Sequence, residues 1–137
     1  MLNAYRLEPC YLIDLPGYGW ARSAKEQRKA YRRMVESVLR DRDALTGVVW
    51  LLDSRHPPSR DDMEFHRLLV DSGRPVLVVL TKGDKLNASG RAQAVRDRTL
   101  ELGIEADQVQ VVSATTGAGI AELGASILAA AGQESLG

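Results

Sequence analysis

The sequence is poor in cysteine and in aromatic side chains. Its 137 residues include one cysteine, Cys10, and 5% aromatic residues. A single cysteine cannot form an intramolecular disulfide, so a disulfide-stabilised scaffold is excluded and a reducing cytoplasmic setting is expected. The 18 basic residues balance the 18 acidic ones. The net charge therefore favours no partner of either sign.

Long apolar runs are absent as well. No run approaches the roughly 18 residues that cross a bilayer, and residues 1–6 lack the apolar core of a signal peptide. We therefore expect a soluble cytoplasmic protein with no membrane partner. With 45% apolar and 26% charged residues, the composition is that of an ordinary globular domain.

Apolar runs alternate with helical patterns along the chain. Runs at 2–7 and 10–15, separated by Glu8-Pro9, predict a hairpin. Further strands are predicted at 47–52, 75–80 and 108–112, and helices at 24–42, 59–73, 89–102 and around 120–128. This alternation predicts an α/β fold with a mostly parallel sheet and helices on both faces.

Ligands of such sheets bind beyond the carboxyl ends of the strands. Four loops begin there with polar residues directly after an apolar run: 14–19, 53–58, 81–84 and 113–117. These loops are the candidate site.

The loop in VLVVLTKGD suits a guanine base. Asp84 could accept hydrogen bonds from the N1–H and the exocyclic amine of guanine, a donor pair that adenine lacks. The stem of Lys82 could lie along the base and ribose. A plain surface turn after a strand is the structural alternative.

Two other loops offer complementary groups. In VVSATTGAG the Ala114 N–H could donate to the guanine carbonyl oxygen. In DLPGYG, Asp14 could hold a Mg²⁺-bound water, and the Gly17 amide could bind a terminal phosphate. Taken singly, each stretch is also explained by ordinary turn residues.

The order of these motifs resembles the DxxG, TKxD and SA boxes of a P-loop GTPase. DLPGYGWAR, VVWLLDSRHPP and PVLVVLTKGDK resemble more closely the EngB (YihA, YsxC) family over essentially the whole chain, with DSRHPP the most family-specific stretch. The resemblance implies a partial EngB-type G domain over 1–137. It also implies GTP or GDP with Mg²⁺, and action as a monomer in large ribosomal subunit assembly and cell division.

Carried over residue by residue, the resemblance implies a set of GTP-binding positions. They are Asp14, Leu15, Pro16, Gly17, Thr81, Lys82, Asp84, Ser113 and Ala114, with Asp14 meeting the metal through water. Tyr18 occupies the position where many GTPases place a water-orienting glutamine, so no catalytic residue is assigned.

The 137 residues contain no GxxxxGK[ST] motif and no switch threonine. Two explanations stay open: Met1 is an internal methionine taken for a start, or the gene is truncated. In the family fold the strand before the P-loop lies mid-sheet. We therefore expect unpaired inner edges on 10–15 and 47–52, with 10–15 either paired directly to 47–52 or poorly held. Because the GxxxxGK[ST] motif binds the β and γ phosphates, we also expect weak phosphate binding.

A basic arc on helix 24–42 supports a second function class. Lys25, Arg28, Lys29, Arg32 and Arg33 could touch ribosomal RNA phosphates without any nucleotide, although a solvated helix face is the simpler interpretation. A non-functional gene fragment, and an unrelated doubly wound domain carrying the boxes by accident, are further alternatives. In the accidental case, 81–84 and 113–114 would lie far apart.

Overall fold

A computed structural model of the chain describes residues 3–7, 10–14 and 25–136. The strands are β1 (Asn3–Leu7), β2 (Cys10–Asp14), β3 (Val48–Asp53), β4 (Val76–Thr81) and β5 (Val109–Val111), and the helices are α1 (Lys25–Asp41), α2 (Arg60–Ser72), α3 (Ala88–Leu102) and α4 (Ile120–Leu136). Short 3₁₀ turns at Gly83–Lys85 and Ala106–Gln108 precede α3 and β5. Each predicted strand and helix is confirmed, with bounds shifted by at most one residue, except that α4 continues eight residues beyond 128.

The strands form two sheets. β1 and β2 pair antiparallel as the predicted hairpin, and β3, β4 and β5 form a parallel sheet in that order. Among the residues described, β2 pairs with β1 and not with β3. The predicted direct pairing between 10–15 and 47–52 is therefore not observed: β2 belongs to a separate two-stranded sheet and contacts α4. That β2 is poorly held stays a prediction.

The main core lies on one face of the parallel sheet. Trp50 is in register with Val78, and Leu52 with Leu80, so these four side chains point to the same side. All four are at least nine-tenths buried. They pack with apolar side chains from α1, α2 and α3, namely Val35, Leu39, Phe65, Leu69, Ala94 and Leu102.

The opposite face carries α4. Gln110 of β5 is in register with Val79 of β4, on the face away from the main core. The Gln110 side chain donates to Ser126 Oγ of α4 at 2.6 Å, and Val79 is fully buried. Helices therefore cover both faces, as predicted. On β3 this second face stays open, with Leu51 59% exposed.

Caps define the ends of α2 and α3. Ser59 and Asp62 form a reciprocal capping box at the start of α2, and Gly73 ends that helix in the left-handed conformation. Gly103 ends α3 in the same way. Within the described ranges, no helix is long and apolar enough to cross a membrane.

The end of α1 is fixed by a side chain from a distant loop. The Arg74 guanidinium donates to the carbonyl oxygens of Leu39 at 2.9 Å, Leu45 at 2.9 Å and Arg42 at 3.0 Å. Carbonyls at a helix C-terminus have no partner within the helix. One planar side chain thus satisfies the Leu39 carbonyl in the last turn of α1 and two carbonyls of the loop that follows, Arg42 and Leu45. It thereby ties the end of α1 to the segment before β4.

We expect Arg74→Lys to lower the free energy of unfolding by about 1–3 kcal/mol, because an ammonium cannot reproduce the three-way fork. Urea denaturation would measure the loss. Arg67→Lys, at an exposed position on α2, is the matched control and should change stability by less than about 0.5 kcal/mol. Equal effects of the two substitutions would contradict this role of Arg74.

Candidate functional site

Three of the four predicted loops meet at the carboxyl edge of the parallel sheet. The Ser54 N–H donates to the Thr81 carbonyl at 3.0 Å, joining the loop after β3 to the loop after β4. The Gly83 N–H donates to the Val112 carbonyl at 3.0 Å, joining the loop after β4 to the loop after β5. The backbone itself therefore brings 53–58, 81–84 and 113–117 into one site.

The TKGD loop turns sharply after β4. Lys82 adopts the left-handed conformation, with φ 59° and ψ 35°, which non-glycine residues rarely adopt. Gly83 follows it and is buried. A Cβ on Gly83 would lie 2.7 Å from Val111 Cγ1, so a larger residue would push this loop away from β5.

The site's central contact joins Asp84 to Ser113. Ser113 Oγ donates to Asp84 Oδ1 at 2.8 Å and accepts from the Thr116 N–H at 3.1 Å. Ser113 is 1% exposed, whereas Asp84 is half-buried. One carboxylate oxygen is thereby fixed, and no described residue donates to the other oxygen.

Ala114 directly follows the serine that binds this carboxylate. It is exposed, and in the part of the chain that the structure describes its N–H donates to no protein acceptor. The neighbouring amides are engaged: the Ser113 N–H donates to the Ala118 carbonyl, and the Gly117 N–H to the Ser113 carbonyl. The Ala114 N–H and the open Asp84 oxygen are thus available to a ligand.

An ion cluster lies beside Lys82. Asp53 Oδ2 accepts from Arg55 Nη2 at 2.8 Å and lies 3.5 Å from Lys82 Nζ. The Arg55 side chain, with help from its backbone N–H and from Lys82, holds the pKa of the Asp53 carboxyl well below its usual range. Asp53 therefore stays ionised at neutral pH.

Five predicted site residues come together here: Thr81, Lys82, Asp84, Ser113 and Ala114. Thr81 contributes structurally, since its hydroxyl donates to the Leu52 carbonyl at 3.3 Å. The loops are not far apart, contrary to what an accidental match requires. Asp14 ends β2, whereas Leu15, Pro16 and Gly17 lie outside the described residues.

Sequence analysis assigns no individual role to Asp53, Ser54 or Arg55, although it includes their loop in the candidate site. Ser54 is 3% exposed and its hydroxyl donates to the Lys82 carbonyl at 3.3 Å. The signal that could have identified these residues is their place directly after a buried strand, next to the strand that ends in TKGD.

Comparison with known proteins agrees with this geometry. No protein-family model matches the sequence. The chain is 44% identical over 117 residues to a protein of Gemmatimonas aurantiaca named "Probable GTP-binding protein EngB", an overlap of 85% of this chain and 57% of the relative. It is 40% identical over 129 residues to a Syntrophomonas wolfei protein of the same name, covering 92% of this chain and 65% of the relative.

Solved structures show the same fold. The crystal structure of a probable GTP-binding protein EngB matches with a TM-score of 0.81 at 19% identity, over 97% of this chain and 84% of that one. Aquifex aeolicus Era bound to GDP and AlF4⁻ matches with a TM-score of 0.67 at 22% identity, over 86% of this chain and 38% of that one.

These structural matches define the class of protein: the chain has the α/β fold of a GTPase domain. Within that class, the identities to curated relatives show that it belongs to the EngB family. The chain spans little more than half the length of the first relatives that it matches.

The turn that carries Ala114 depends on Gly119. Gly119 has a positive φ of 77°, and a Cβ there would collide with the Val111 carbonyl oxygen. Gly117 also has a positive φ, 82°, but a Cβ on it meets nothing within 4 Å. An alanine at Gly117 would therefore meet only the strain of a positive φ, whereas an alanine at Gly119 would meet that strain and a steric collision.

We expect Gly117→Ala to cost about 1 kcal/mol, the penalty of the left-handed conformation alone. Gly119→Ala should cost more than about 2 kcal/mol because it adds a backbone collision. Chemical denaturation of both variants measures the difference. Similar losses in the two variants would show that the packing of Gly119 on β5 is not as described.

Proposed function

We propose that this chain is a partial EngB-type G domain, over 1–137, that binds GTP and GDP chiefly through the guanine base. The observation that carries the proposal is the Asp84 carboxylate. One of its oxygens is fixed by buried Ser113, no described residue donates to the other, and exposed Lys82 and exposed Ala114 belong to the same two loops.

These groups complement guanine. The open edge of Asp84 accepts from guanine N1–H and from the exocyclic amine, while the Ala114 N–H donates to the guanine carbonyl oxygen. The Lys82 stem covers the base and ribose. Adenine offers neither the donor pair nor the carbonyl, so it would leave these protein groups unpaired, and discrimination follows.

We propose that contacts to the phosphates contribute less to nucleotide binding than contacts to the base. The 137 residues contain no GxxxxGK[ST] loop, and that motif supplies the amide cradle and the lysine for the β and γ phosphates. Gly17 with Leu15 and Pro16 would contribute contacts beside the γ phosphate. We therefore propose weak binding and little or no hydrolysis by this chain alone.

Mg²⁺ would accompany the nucleotide. Among the described residues no group of three potential metal ligands exists. A nucleotide-bound Mg²⁺ usually takes one or two carboxylates together with phosphates and waters. Asp14, at the carboxyl end of β2, is the residue that would hold it, through water.

The biological setting that we propose follows the EngB resemblance. The complete protein would act in the cytoplasm as a monomer during large ribosomal subunit assembly, with a consequence for cell division and septation. Membership of the EngB family supports this setting, and the curated relatives are named as GTP-binding proteins.

Asp84→Asn tests base recognition. An amide accepts only one of the two guanine donors, and its own N–H can instead donate to the 2-oxo group of xanthine. We expect GDP binding to fall by about 10- to 100-fold and xanthosine diphosphate binding to rise, both measured by equilibrium dialysis with labelled nucleotides. Asp107→Asn, at an exposed position, should change neither. An unchanged preference for GDP in Asp84→Asn would contradict the assignment.

A second candidate function is nucleotide-independent binding to the ribosome. The favouring observation is that Lys25, Arg28, Lys29 and Arg33 are exposed together on α1, at spacings that place them on one side of the helix. Arg32 on the same side is paired with Glu36 at 3.0 Å. Such a face fits RNA phosphates.

Replacing Arg28, Lys29 and Arg33 by glutamine tests this surface. If α1 contacts RNA, co-sedimentation with large ribosomal subunits at low salt should weaken, and the slope of log affinity against log salt should fall by about 2–3. The control is glutamine at Arg40, Arg42 and Arg67, an equal loss of charge at other exposed positions. Equal weakening by both triple variants would reject a specific α1 contact.

A further inference from the structure

We infer that Asp53, the last residue of β3, is a positioning residue that pre-orders Lys82 for contact with the nucleotide base. The inference rests on the proposed function and adds to the guanine site a residue from a third loop. It is carried by contacts that fix Lys82 at both its side chain and its backbone.

The side chain of Lys82 is exposed but not without a partner. Its relative side-chain exposure is 57%, and its Nζ lies 3.5 Å from Asp53 Oδ2. A solvent-exposed lysine with no partner samples many rotamers, and that freedom is lost when the side chain is ordered on a ligand. A carboxylate within reach of the ammonium restricts the rotamers that the lysine samples before any ligand binds.

Asp53 is itself held rigidly. Its Oδ1 accepts from the Arg55 N–H at 2.9 Å and from Arg55 Nε at 3.0 Å, while Oδ2 accepts from Arg55 Nη2 at 2.8 Å. This bidentate clamp sets the plane of the carboxylate. Asp53 is therefore a fixed reference point for the Lys82 ammonium and not a second mobile group.

The backbone of Lys82 is held by the adjacent residue. Ser54 is 3% exposed, and its hydroxyl donates to the Lys82 carbonyl at 3.3 Å. The same carbonyl accepts from the Lys85 N–H at 3.0 Å. These contacts stabilise the left-handed conformation of Lys82, which local sterics disfavour.

The loop that supplies both contacts is anchored from α3. Arg98, 6% exposed, donates to the His56 carbonyl at 3.0 Å and pairs with Glu101 Oε1 at 2.5 Å. Asp53 is in register with Thr81 on the neighbouring strand, and Lys82 is the residue that follows Thr81. The position of Asp53 and the rigidity of its loop thus both follow from the fold.

The expected change in GDP affinity is small because the ion pair between Asp53 and Lys82 is partly exposed. Because exposed ion pairs are weak, the gain lies mainly in reduced side-chain freedom. Asp53→Asn should weaken GDP binding by about three- to tenfold, a smaller loss than removal of Asp84 gives. Asp53→Glu, which keeps the charge, should recover part of the affinity.

A double-mutant cycle tests whether Asp53 acts through Lys82. GDP is titrated by NMR into wild type, Asp53→Asn, Lys82→Met and the double variant, with Asp71→Asn as an exposed carboxylate control. If Asp53 positions Lys82, Asp53→Asn weakens binding in the wild-type background and adds nothing after Lys82→Met. An unchanged affinity in Asp53→Asn, or the same loss in both backgrounds, would overturn the inference.

A ligand-free measurement separates this inference from the proposed function. Failure of wild type to bind GDP, or equal binding of ADP, would reject guanine recognition itself. The order of the Lys82 side chain, read from NMR relaxation at its terminal groups without nucleotide, then decides the role of Asp53. Greater Lys82 mobility in Asp53→Asn than in Asp71→Asn supports positioning, and equal mobility contradicts it.

Discussion

The hydrogen bond from Ser113 to Asp84 is the contact on which the whole site depends. It joins two loops that lie 29 residues apart in sequence, and it forms only if β4 and β5 are adjacent and in register. The Val112 N–H bond to the Leu80 carbonyl at 2.8 Å and the Gly83 N–H bond to the Val112 carbonyl at 3.0 Å set that register. One carboxylate oxygen is fixed in this way, while no described residue donates to the other.

Around that contact, the packed sheet holds the strand ends in place, and the loops carry the polar groups of the candidate site. The main core packs α1, α2 and α3 on one face of the sheet, while α4 packs on the other through Gln110 and Ser126. β3 is covered on its core face only, and Leu51 on the other face is largely exposed. The loops 81–84 and 113–117 extend from the well-packed strands β4 and β5. This explains how a chain spanning about half of its relatives' length can present an ordered site at that edge.

Much of this arrangement could be predicted from the sequence because the signals were local. Apolar runs located the strands, and Ser59 and Gly73 marked the ends of α2 through capping chemistry. The rule that ligands bind beyond the carboxyl ends of strands predicts that the loops of Lys82, Asp84 and Ala114 share one edge of the sheet, as they do. β5 was predicted longer than it is, because Gln108 closes a 3₁₀ turn before that strand begins.

What could not be predicted depends on distant pairs. The fork of Arg74 to α1 and the approach of Lys82 to Asp53 join residues about 30 positions apart, and no sequence periodicity reports such pairs. The fate of β2 was also ambiguous. Its edge could pair with β1, with β3 or with both, and the structure keeps the hairpin and a separate parallel sheet.

The central claim is that the ends of β4 and β5 form a guanine-specific site in this chain. An NMR titration of backbone amides with guanosine, and separately with adenosine, tests it without any contribution from phosphates. The account predicts that guanosine shifts the amides of 82–84 and 114 first and that adenosine leaves them in place. Equal shifts with both nucleosides, or guanosine shifts confined to other loops, would contradict it.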